Sequence, residues 1–129
     1  MSAGVAPSVV ADPNYVKAAP MLRDVEMFDA GFFGYSPKDA TLMDPQQRLF
    51  LEVCWEAFEN AGLKASDLRA QRVGVFVAHD GLLGDYFNEA AARAPDQQEF
   101  LIPGNNPCFL ANRVSYLFGL LGPSLAVNT

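Results

Sequence analysis

The sequence predicts an α/β fold, because two helices and two strands alternate along the chain. Residues 45–61 have the pattern of a capped amphipathic helix, and residues 72–78 form a short run rich in valine and phenylalanine. A second helix begins after Asn106, and an apolar, strand-like run occupies residues 123–129. Helices that alternate with short apolar strands are typical of βαβ units with a parallel sheet.

The first of these helices has the clearest start and end signals. Asp44 suits the N-cap, Pro45 suits the first helical position, and Gln47 lies three residues after the cap, as in a capping box. Gly62 is placed to end the helix in the left-handed conformation. Trp55 is expected near one edge of the buried stripe, whose members recur at helical spacing: Leu49, Phe50, Val53, Cys54, Ala57, Phe58 and Ala61.

Two further helix starts repeat the pattern of a polar cap followed by proline. Ser36 and Pro37 predict a short helical turn. Asn106 and Pro107 predict the start of the second long helix, which a glycine at position 119 or 122 ends. The strand at 72–78 is expected to be buried on both faces.

The remaining stretches carry weaker signals. Residues 1–20 contain three prolines and no period, so we expect an extended lead-in arm that needs another surface to become ordered, ahead of a domain segment at 21–129. Residues 80–103 fit either helix or loop. A buried parallel strand at 123–129 would need neighbouring strands and a crossover helix that the pattern does not supply beyond it.

Composition and charge exclude several classes of function. The chain has 129 residues, of which 50% are hydrophobic and 19% charged, as in a single globular domain. Its formal net charge of −6 argues against a nucleic-acid-binding domain. We expect no membrane span and no signal peptide, since no long apolar run is present. Two cysteines are too few for a disulfide framework or a zinc knuckle, so a reducing cytoplasm is expected.

One pair of residues is a candidate for covalent chemistry. Cys108 is the best nucleophile candidate, because the second position of a helix feels the dipole that lowers a thiol pKa. It would need a base, and His79, directly after the first strand, is the single histidine of the chain. The plainer interpretation makes Cys108 and Cys54 small core residues and His79 a loop residue without a role.

Three other patterns favour structural roles. Glu52, Glu56 and Glu59 lie at helical spacing, which indicates a solvated helix face, and nothing in the sequence suggests raised pKa values for them. Gly31 and Gly34 follow no strand, so a nucleotide-binding loop is not predicted. Three aromatic side chains are expected in the core or at an interface: Tyr86, Phe87 and Tyr116.

Four runs of sequence resemble the ketosynthase (β-ketoacyl synthase) domain of modular polyketide synthases. Residues 28–62 read FDAGFFGYSPKDATLMDPQQRLFLEVCWEAFENAG, in which MDPQQRL is the most specific part. PNYVKAAPML at 13–22 is similar to the lead-in of ketosynthases from hybrid polyketide/non-ribosomal peptide lines. VGVFVAHD at 73–80 is similar to the strand after the helix, and GNNPCFLANRVSYLFGLLGPSLAVNT at 104–129 to the run before the nucleophile. Only residues 81–100 match loosely.

The resemblance implies a fold, a reaction and partners. It implies a partial thiolase-like fold, a fragment of the layered αβαβα ketosynthase, and a dimer. The family's reaction is decarboxylative Claisen condensation, in which an acyl chain moves from a carrier-protein phosphopantetheine to a cysteine and a malonyl-type extender then attacks the thioester. The implied partners are the remainder of the ketosynthase, a homodimer partner and an acyl carrier protein, with no metal or soluble cofactor, no nucleic acid and no membrane.

The departures from the family bear on catalysis. The family's nucleophilic cysteine follows directly after a run resembling GPSLAVNT, and Thr129 is the last residue here. The family's first core strand is expected ahead of residue 1 and its two histidines further on; His79 matches neither histidine, and Cys108 does not match the nucleophile. The chain therefore resembles an internal ketosynthase segment, no catalytic residue is assigned in it, and we expect it to be inactive alone.

The resemblance also implies structural roles. Residues 100–106 match a loop at the dimer interface that helps to line the acyl tunnel, and residues 125–129 match a strand that pairs across the two-fold axis. Asp44, Pro45, Gln46 and Arg48 match the helix start that shapes the fold near the active site. The resulting interface and tunnel candidates are Phe100, Leu101, Ile102, Pro103, Gly104, Asn105, Leu125, Val127 and Thr129.

Three classes of function compete at this point. The first is a segment of a ketosynthase, and the density of the matches favours it. The second is a non-catalytic scaffold or partner subunit that uses the ketosynthase dimer surface, which requires a full-length partner that co-purifies. The third is an independent thiol enzyme, which requires rapid alkylation of Cys108 at neutral pH.

Overall fold

Two parallel strands, β1 (Val75–His79) and β2 (Ser124–Asn128), form the sheet in the described part of the chain. The structure is a computed structural model that describes residues 5–18, 22–79 and 84–128. Val75 lies opposite Ser124 and His79 opposite Asn128, so the carboxyl ends of both strands meet at one edge. Both predicted strands and the α/β class are confirmed. β1 begins later than predicted, because the first ladder bond runs from the Val75 N–H to the Pro123 carbonyl.

Helices account for most of the remaining regular structure. The stretch left open between helix and loop is largely helical where it is described, and residues 80–83 lie outside the described part. The helices are α1 (Pro7–Val10), α2 (Pro37–Leu42), α3 (Pro45–Asn60), α4 (Ala65–Leu68), α5 (Asp85–Arg93), α6 (Gln98–Asn105) and α7 (Leu110–Phe118), with 3-10 turns at Pro95–Gln97 and Pro107–Phe109.

The predicted caps are confirmed, but the second long helix, α7, begins at Leu110 and not at Pro107, because Asn106 caps the 3-10 turn Pro107–Phe109 that precedes it. Each cap side chain accepts a hydrogen bond from a first-turn backbone N–H, at 2.7 Å for Asp44, 2.9 Å for Asn106 and 3.1 Å for Ser36. These bonds satisfy donors that have no partner inside the helix. Gly62 ends α3 with φ of 72° and Gly119 ends α7 with φ of 67°, the left-handed conformation that glycine adopts without strain.

α3 buries only part of the face predicted: Phe50, Cys54 and Phe58 are half-buried and pack against the core as expected. Leu51 is 1% exposed and Gln47 2% exposed, whereas Val53 is 57% exposed. The predicted stripe was therefore wrong at Val53, and also at Ala57 and Ala61, which are exposed. Apolar periodicity identifies an apolar face of a helix but not which part of that face other segments cover. Here the aromatic residues of the 28–35 segment and α7 pack on the Leu51 side of α3.

The core lies between α3, α7 and one face of the sheet. Helix α7 packs against both strands, and the Ser115 hydroxyl lies 2.6 Å from the Ser124 hydroxyl on β2. The opposite face of the sheet carries exposed apolar side chains, so β1 is buried on one face and not on both as expected: Phe76, Leu125 and Val127. The core residues are Phe33, Met43, Leu51, Leu68, Val75, Ala111, Val114, Phe118 and Leu120.

The lead-in arm is not wholly irregular. A helical turn, α1, forms where the prolines were expected to prevent any regular element, and none of its residues is buried. Pro7 occupies the first position of this turn, where its missing N–H costs no hydrogen bond. The expectation was wrong at this turn, and residues 1–4 and 19–20 of the arm lie outside the described part.

Candidate functional site

The candidate site is the junction between the C-terminal turn of α6 and the first turn of α3. The backbone N–H of Asp44 donates to the Gly104 carbonyl at 3.0 Å, and Asp44 is 5% exposed. A Cβ on Gly104 would lie 3.2 Å from the Leu42 carbonyl oxygen and 3.4 Å from Met43 Cα. The junction therefore depends on a close backbone approach that only glycine permits without a shift.

Asn105 joins α6 to the end of α2. Its side chain is 2% exposed, and Nδ2 donates to the carbonyls of Leu42 at 2.7 Å and Leu101 at 2.8 Å. Its Oδ1 is buried and has no hydrogen-bond partner among the described residues. Both amide protons are thus used to hold backbone carbonyls, which fixes the turn that Asn105 ends.

Gln47 has a different partner from the capping box that was predicted. Its Nε2 donates to the Asn106 carbonyl at 3.2 Å, and its Oε1 accepts from Arg113 Nε at 2.9 Å. The buried amide is committed to partners far away in sequence, so it does not reach back to its own helix cap. The capping box was wrong, whereas the Asp44 cap is present.

The Arg113 side chain binds several segments of the junction at once. Besides Gln47, its guanidinium donates to the Tyr35 hydroxyl at 3.1 Å and to the Pro103 carbonyl. It also lies over the Tyr35 ring, 5.8 Å from the centroid. Sequence reasoning missed this residue, because its position in an amphipathic helix says nothing about partners 66 and 78 residues away.

Arg48 holds the other side of the α3 start. It is 8% exposed, its Nη1 donates to the Glu26 carbonyl at 3.4 Å, and its guanidinium lies 5.9 Å from the Tyr86 ring centroid. The implied role of this helix start in shaping the fold is consistent with these contacts.

A small cavity of about 20 Å³ lies beside the junction. Its volume suits roughly one water molecule. His79 is the last residue of β1 rather than a loop residue, and it lines this cavity together with the start of α3 and the end of α6. The lining residues are Asp44, Gln46, Gln47, His79, Asn105, Pro107 and Leu110.

The interface and tunnel candidates fall into two groups. Leu101, Gly104 and Asn105 are buried in α6, while Ile102 is 49% exposed and Pro103 is exposed on the same helix. Leu125 and Val127 are 50% and 49% exposed on the outer face of β2. The backbone of Phe100 lies in α6, and Thr129 lies outside the described residues.

The two cysteines differ in environment. Cys108 is exposed in the 3-10 turn that precedes α7, so it is not a core residue. Cys54 is half-buried, and burial raises the pKa of its thiol. Cys54 therefore has less thiolate at neutral pH than an ordinary cysteine.

The glutamates of α3 contradict one expectation. Burial, and secondarily the nearby Glu56 carboxylate, raise the pKa of the Glu52 carboxyl, while Arg48 partly opposes the rise. Glu52 borders an open pocket with Phe32, Trp55 and other residues, so it is not on a fully solvated face.

The three aromatic side chains expected in the core or at an interface differ in burial. Tyr86 and Phe87 pack, as predicted, against a second cluster of buried residues, formed by Leu42, Ala90 and Leu101. Tyr116, in contrast, is 90% exposed.

Two features are absent from the described residues. No three or more histidine, cysteine, aspartate or glutamate side chains are grouped so that they could hold a metal ion. No helix in the same residues is long and apolar enough to cross a membrane.

Comparison with known proteins gives consistent matches. Residues 3–129 match the family described as "Beta-ketoacyl synthase, N-terminal domain". The chain is 44% identical over 117 residues to the polyketide synthase GfsB of Streptomyces halstedii and 43% identical over 116 residues to the erythronolide synthase EryA2 of Saccharopolyspora erythraea. Each match covers 90% of this chain but only 2% and 3% of those relatives.

Solved structures give the same result. The ketosynthase from module 6 of the bacillaene synthase of Bacillus subtilis 168 superposes with a TM-score of 0.65 at 32% identity, over 84% of this chain and 18% of that one. The chain is a ketosynthase segment by fold and by sequence. It belongs to the β-ketoacyl synthase family and has the predicted thiolase-like α/β fold.

Proposed function

We propose that this chain forms part of a polyketide synthase ketosynthase that joins a carrier-bound acyl group to a malonyl-type extender by decarboxylative Claisen condensation. The observation that carries the proposal is the superposition on a ketosynthase over 84% of this chain. The family match across residues 3–129 supports it independently.

In this proposal the segment contributes to the shape of the active site and supplies no catalytic residue. The chain has one histidine, whereas the family's chemistry uses a cysteine and two histidines, so the segment frames a site that residues elsewhere complete. The C-terminal turn of α6, residues 103–106, lines the acyl tunnel. The outer face of β2, on which Leu125 and Val127 are exposed, faces the dimer partner. The acyl group and extender arrive on carrier-protein phosphopantetheine, without a metal or soluble cofactor.

The test compares a complete ketosynthase carrying this segment with the 129-residue chain alone. Each is incubated with acyl-loaded and malonyl-loaded carrier protein, and mass spectrometry follows both the acyl-enzyme and the elongated product. We expect both species from the complete domain and neither from the chain alone. Absence of an acyl-enzyme in the folded complete domain, or elongation by the chain alone, would overturn the proposal.

The scaffold alternative differs in one observable. The exposed apolar face of the sheet, with Phe76 at 65% exposure, is a surface that another polypeptide could cover. A free-standing scaffold subunit would co-purify with a separate full-length ketosynthase. Intact-mass measurement of the natural assembly decides between the two, because a segment of one ketosynthase appears only as part of a larger chain.

A further inference from the structure

The last carbonyls of α6 are held by donors from outside the helix. A helix leaves its final carbonyl groups without partners inside it. Here the Pro103 carbonyl accepts from Arg113, the Gly104 carbonyl from the Asp44 N–H, and the carbonyl of the cap residue Asn106 from Gln47. The turn is therefore fixed by its neighbours at three carbonyls, those of residues 103, 104 and 106.

Arg113 unites three segments in this arrangement. One guanidinium binds the α6 turn at Pro103, the α3 start through Gln47, and the segment before α2 through Tyr35. The positive charge also lies at the carboxyl end of α6, where the helix dipole favours a cation. A planar guanidinium has five N–H donors in a fixed arrangement, so it can donate to acceptors in three directions at once. An ammonium group holds such acceptors less rigidly.

We propose that Arg113 is a positioning residue that sets the place of the α6 turn, residues 103–106, and through it the shape of the acyl-binding tunnel. This inference rests on the proposed function, since it takes that turn as part of the tunnel wall. Arg113 acts on the acyl chain through the turn and does not touch the reacting atoms. Its loss should alter which acyl chains are accepted more than whether acylation occurs.

The experiment uses a complete ketosynthase that carries this segment. Self-acylation is measured with acetyl and octanoyl pantetheine thioesters, as kcat and KM for each, and the ratio of the two kcat/KM values is the readout. Three variants are compared. Arg113→Gln removes the guanidinium with its charge, and Arg113→Lys keeps the charge but removes the planar group. Tyr35→Phe removes one of the hydrogen bonds that the guanidinium makes. The matched control is Arg93→Gln, because the ion pair that Arg93 makes with Glu89 within α5 is exposed.

The expected changes are graded. Arg113→Gln shifts the octanoyl-to-acetyl ratio by about tenfold, since small misplacements of a binding wall cost rates of this order or more. Arg113→Lys falls between this variant and the parent, because the charge is kept and the fork is lost. Tyr35→Phe shifts the ratio about twofold to threefold, the low end of what one hydrogen bond contributes, because Tyr35 acts on the turn only through Arg113. Arg93→Gln leaves it unchanged. Amide exchange of residues 101–108 quickens in the same order.

Two kinds of failure are distinguishable. If the folded parent domain is acylated by neither thioester, the proposed function fails. If the parent is acylated but every folded variant keeps the parental ratio, the positioning role of Arg113 fails and the proposed function stands. Should Arg113→Gln not fold, Arg113→Lys and Tyr35→Phe carry the same test, because each keeps most of the native contacts.

Discussion

The rings of Trp55 and Phe118 stack with centroids 6.0 Å apart and planes inclined by 24°, which joins α3 to α7 across the core. The ring of Phe58 meets Phe118 edge-on at 5.2 Å, and the ring of Phe32 meets Trp55 edge-on at 4.8 Å. Offset and edge-to-face pairs of this kind contribute beyond the area that they bury. Phe118 lies at the centre of this group and is 5% exposed.

Phe118→Ala should therefore lower the free energy of unfolding by about 3–5 kcal/mol. Phe58→Ala should cost less, because Phe58 is only half-buried. Calorimetry of a complete ketosynthase carrying this segment gives both values, with Tyr116→Ala as the control at 90% exposure. Equal losses for Phe118 and Tyr116 would contradict the assigned core.

Gly122→Ala should destabilise the fold through a backbone clash. A Cβ at this position would overlap the carbonyl of Val73 and would lie 2.6 Å from the Gly74 nitrogen. Because the obstacle is backbone, relief requires movement of the segment that leads into β1, at a cost of about 1–3 kcal/mol or more. The control is Gly31→Ala, whose Cβ would meet only Asp29 Oδ1 at 3.6 Å. Matching melting temperatures for the two variants would refute the clash.

Asp44→Ala should cost about 1 kcal/mol of stability, because the carboxylate accepts from the Gln46 N–H at 2.7 Å at the start of α3. Asp44→Asn keeps a side-chain acceptor and should recover most of the loss. Thermal unfolding measures stability, and self-acylation of the folded fraction measures chemistry. We expect the chemistry to be unaffected, so a variant at Asp44 that folds normally but is not acylated would show that the cap also serves the active site.

Glu52 should make the fold less stable as pH rises. Below the ordinary carboxyl pKa of 4.5, Glu52 is protonated in the folded and unfolded states and costs nothing. Its pKa is raised in the folded state, chiefly by burial, so stability falls as pH rises from 4.5 through the raised value. Glu52→Gln should be more stable than the parent at pH 7, with the difference vanishing below pH 4.5. Glu59→Gln, at an exposed position of α3, controls for the loss of one charge.

Alkylation should modify Cys108 before Cys54. Cys108 is exposed, whereas burial both shields the Cys54 thiol and raises its pKa. Iodoacetamide labelling followed by peptide mass spectrometry gives the order, and denaturant should abolish the difference. Cys108→Ser in a complete ketosynthase should keep full condensing activity. Loss of activity in this folded variant would contradict the expectation that Cys108 has no part in the condensation.

Local signals in the sequence predicted the ends of the helices well. Ser36 and Asp44 cap their helices as predicted, and Asn106 caps the 3-10 turn before α7, because a cap bonds to backbone only two or three residues away. Gly62 and Gly119 end theirs for the same local reason. The caps therefore follow from neighbouring residues, whatever the tertiary contacts.

The candidate site was less accessible from the sequence. Gln47 has the spacing of a capping box, but its amide pairs with Asn106 and Arg113, and tertiary contacts override the local preference. Val53 has the periodicity of a core residue and is 57% exposed, because periodicity does not say which surface is covered. The resemblance implied a role for residues 100–106, but the contacts of Arg113 with this stretch depend on side-chain directions that a single sequence does not encode locally.

The parallel pairing of β1 with β2 has a consequence for how the chain becomes structured. β1 has no hydrogen-bonded neighbour among the described residues until β2 is present, and α5, α6 and α7 all lie between them in sequence. Closing so long a connection costs chain entropy before any ladder bond repays it, so this pairing forms late and slowly. During synthesis on the ribosome, the edge of β1 that pairs with β2 lacks this partner until β2 has emerged, and an unpaired strand edge can pair with another chain.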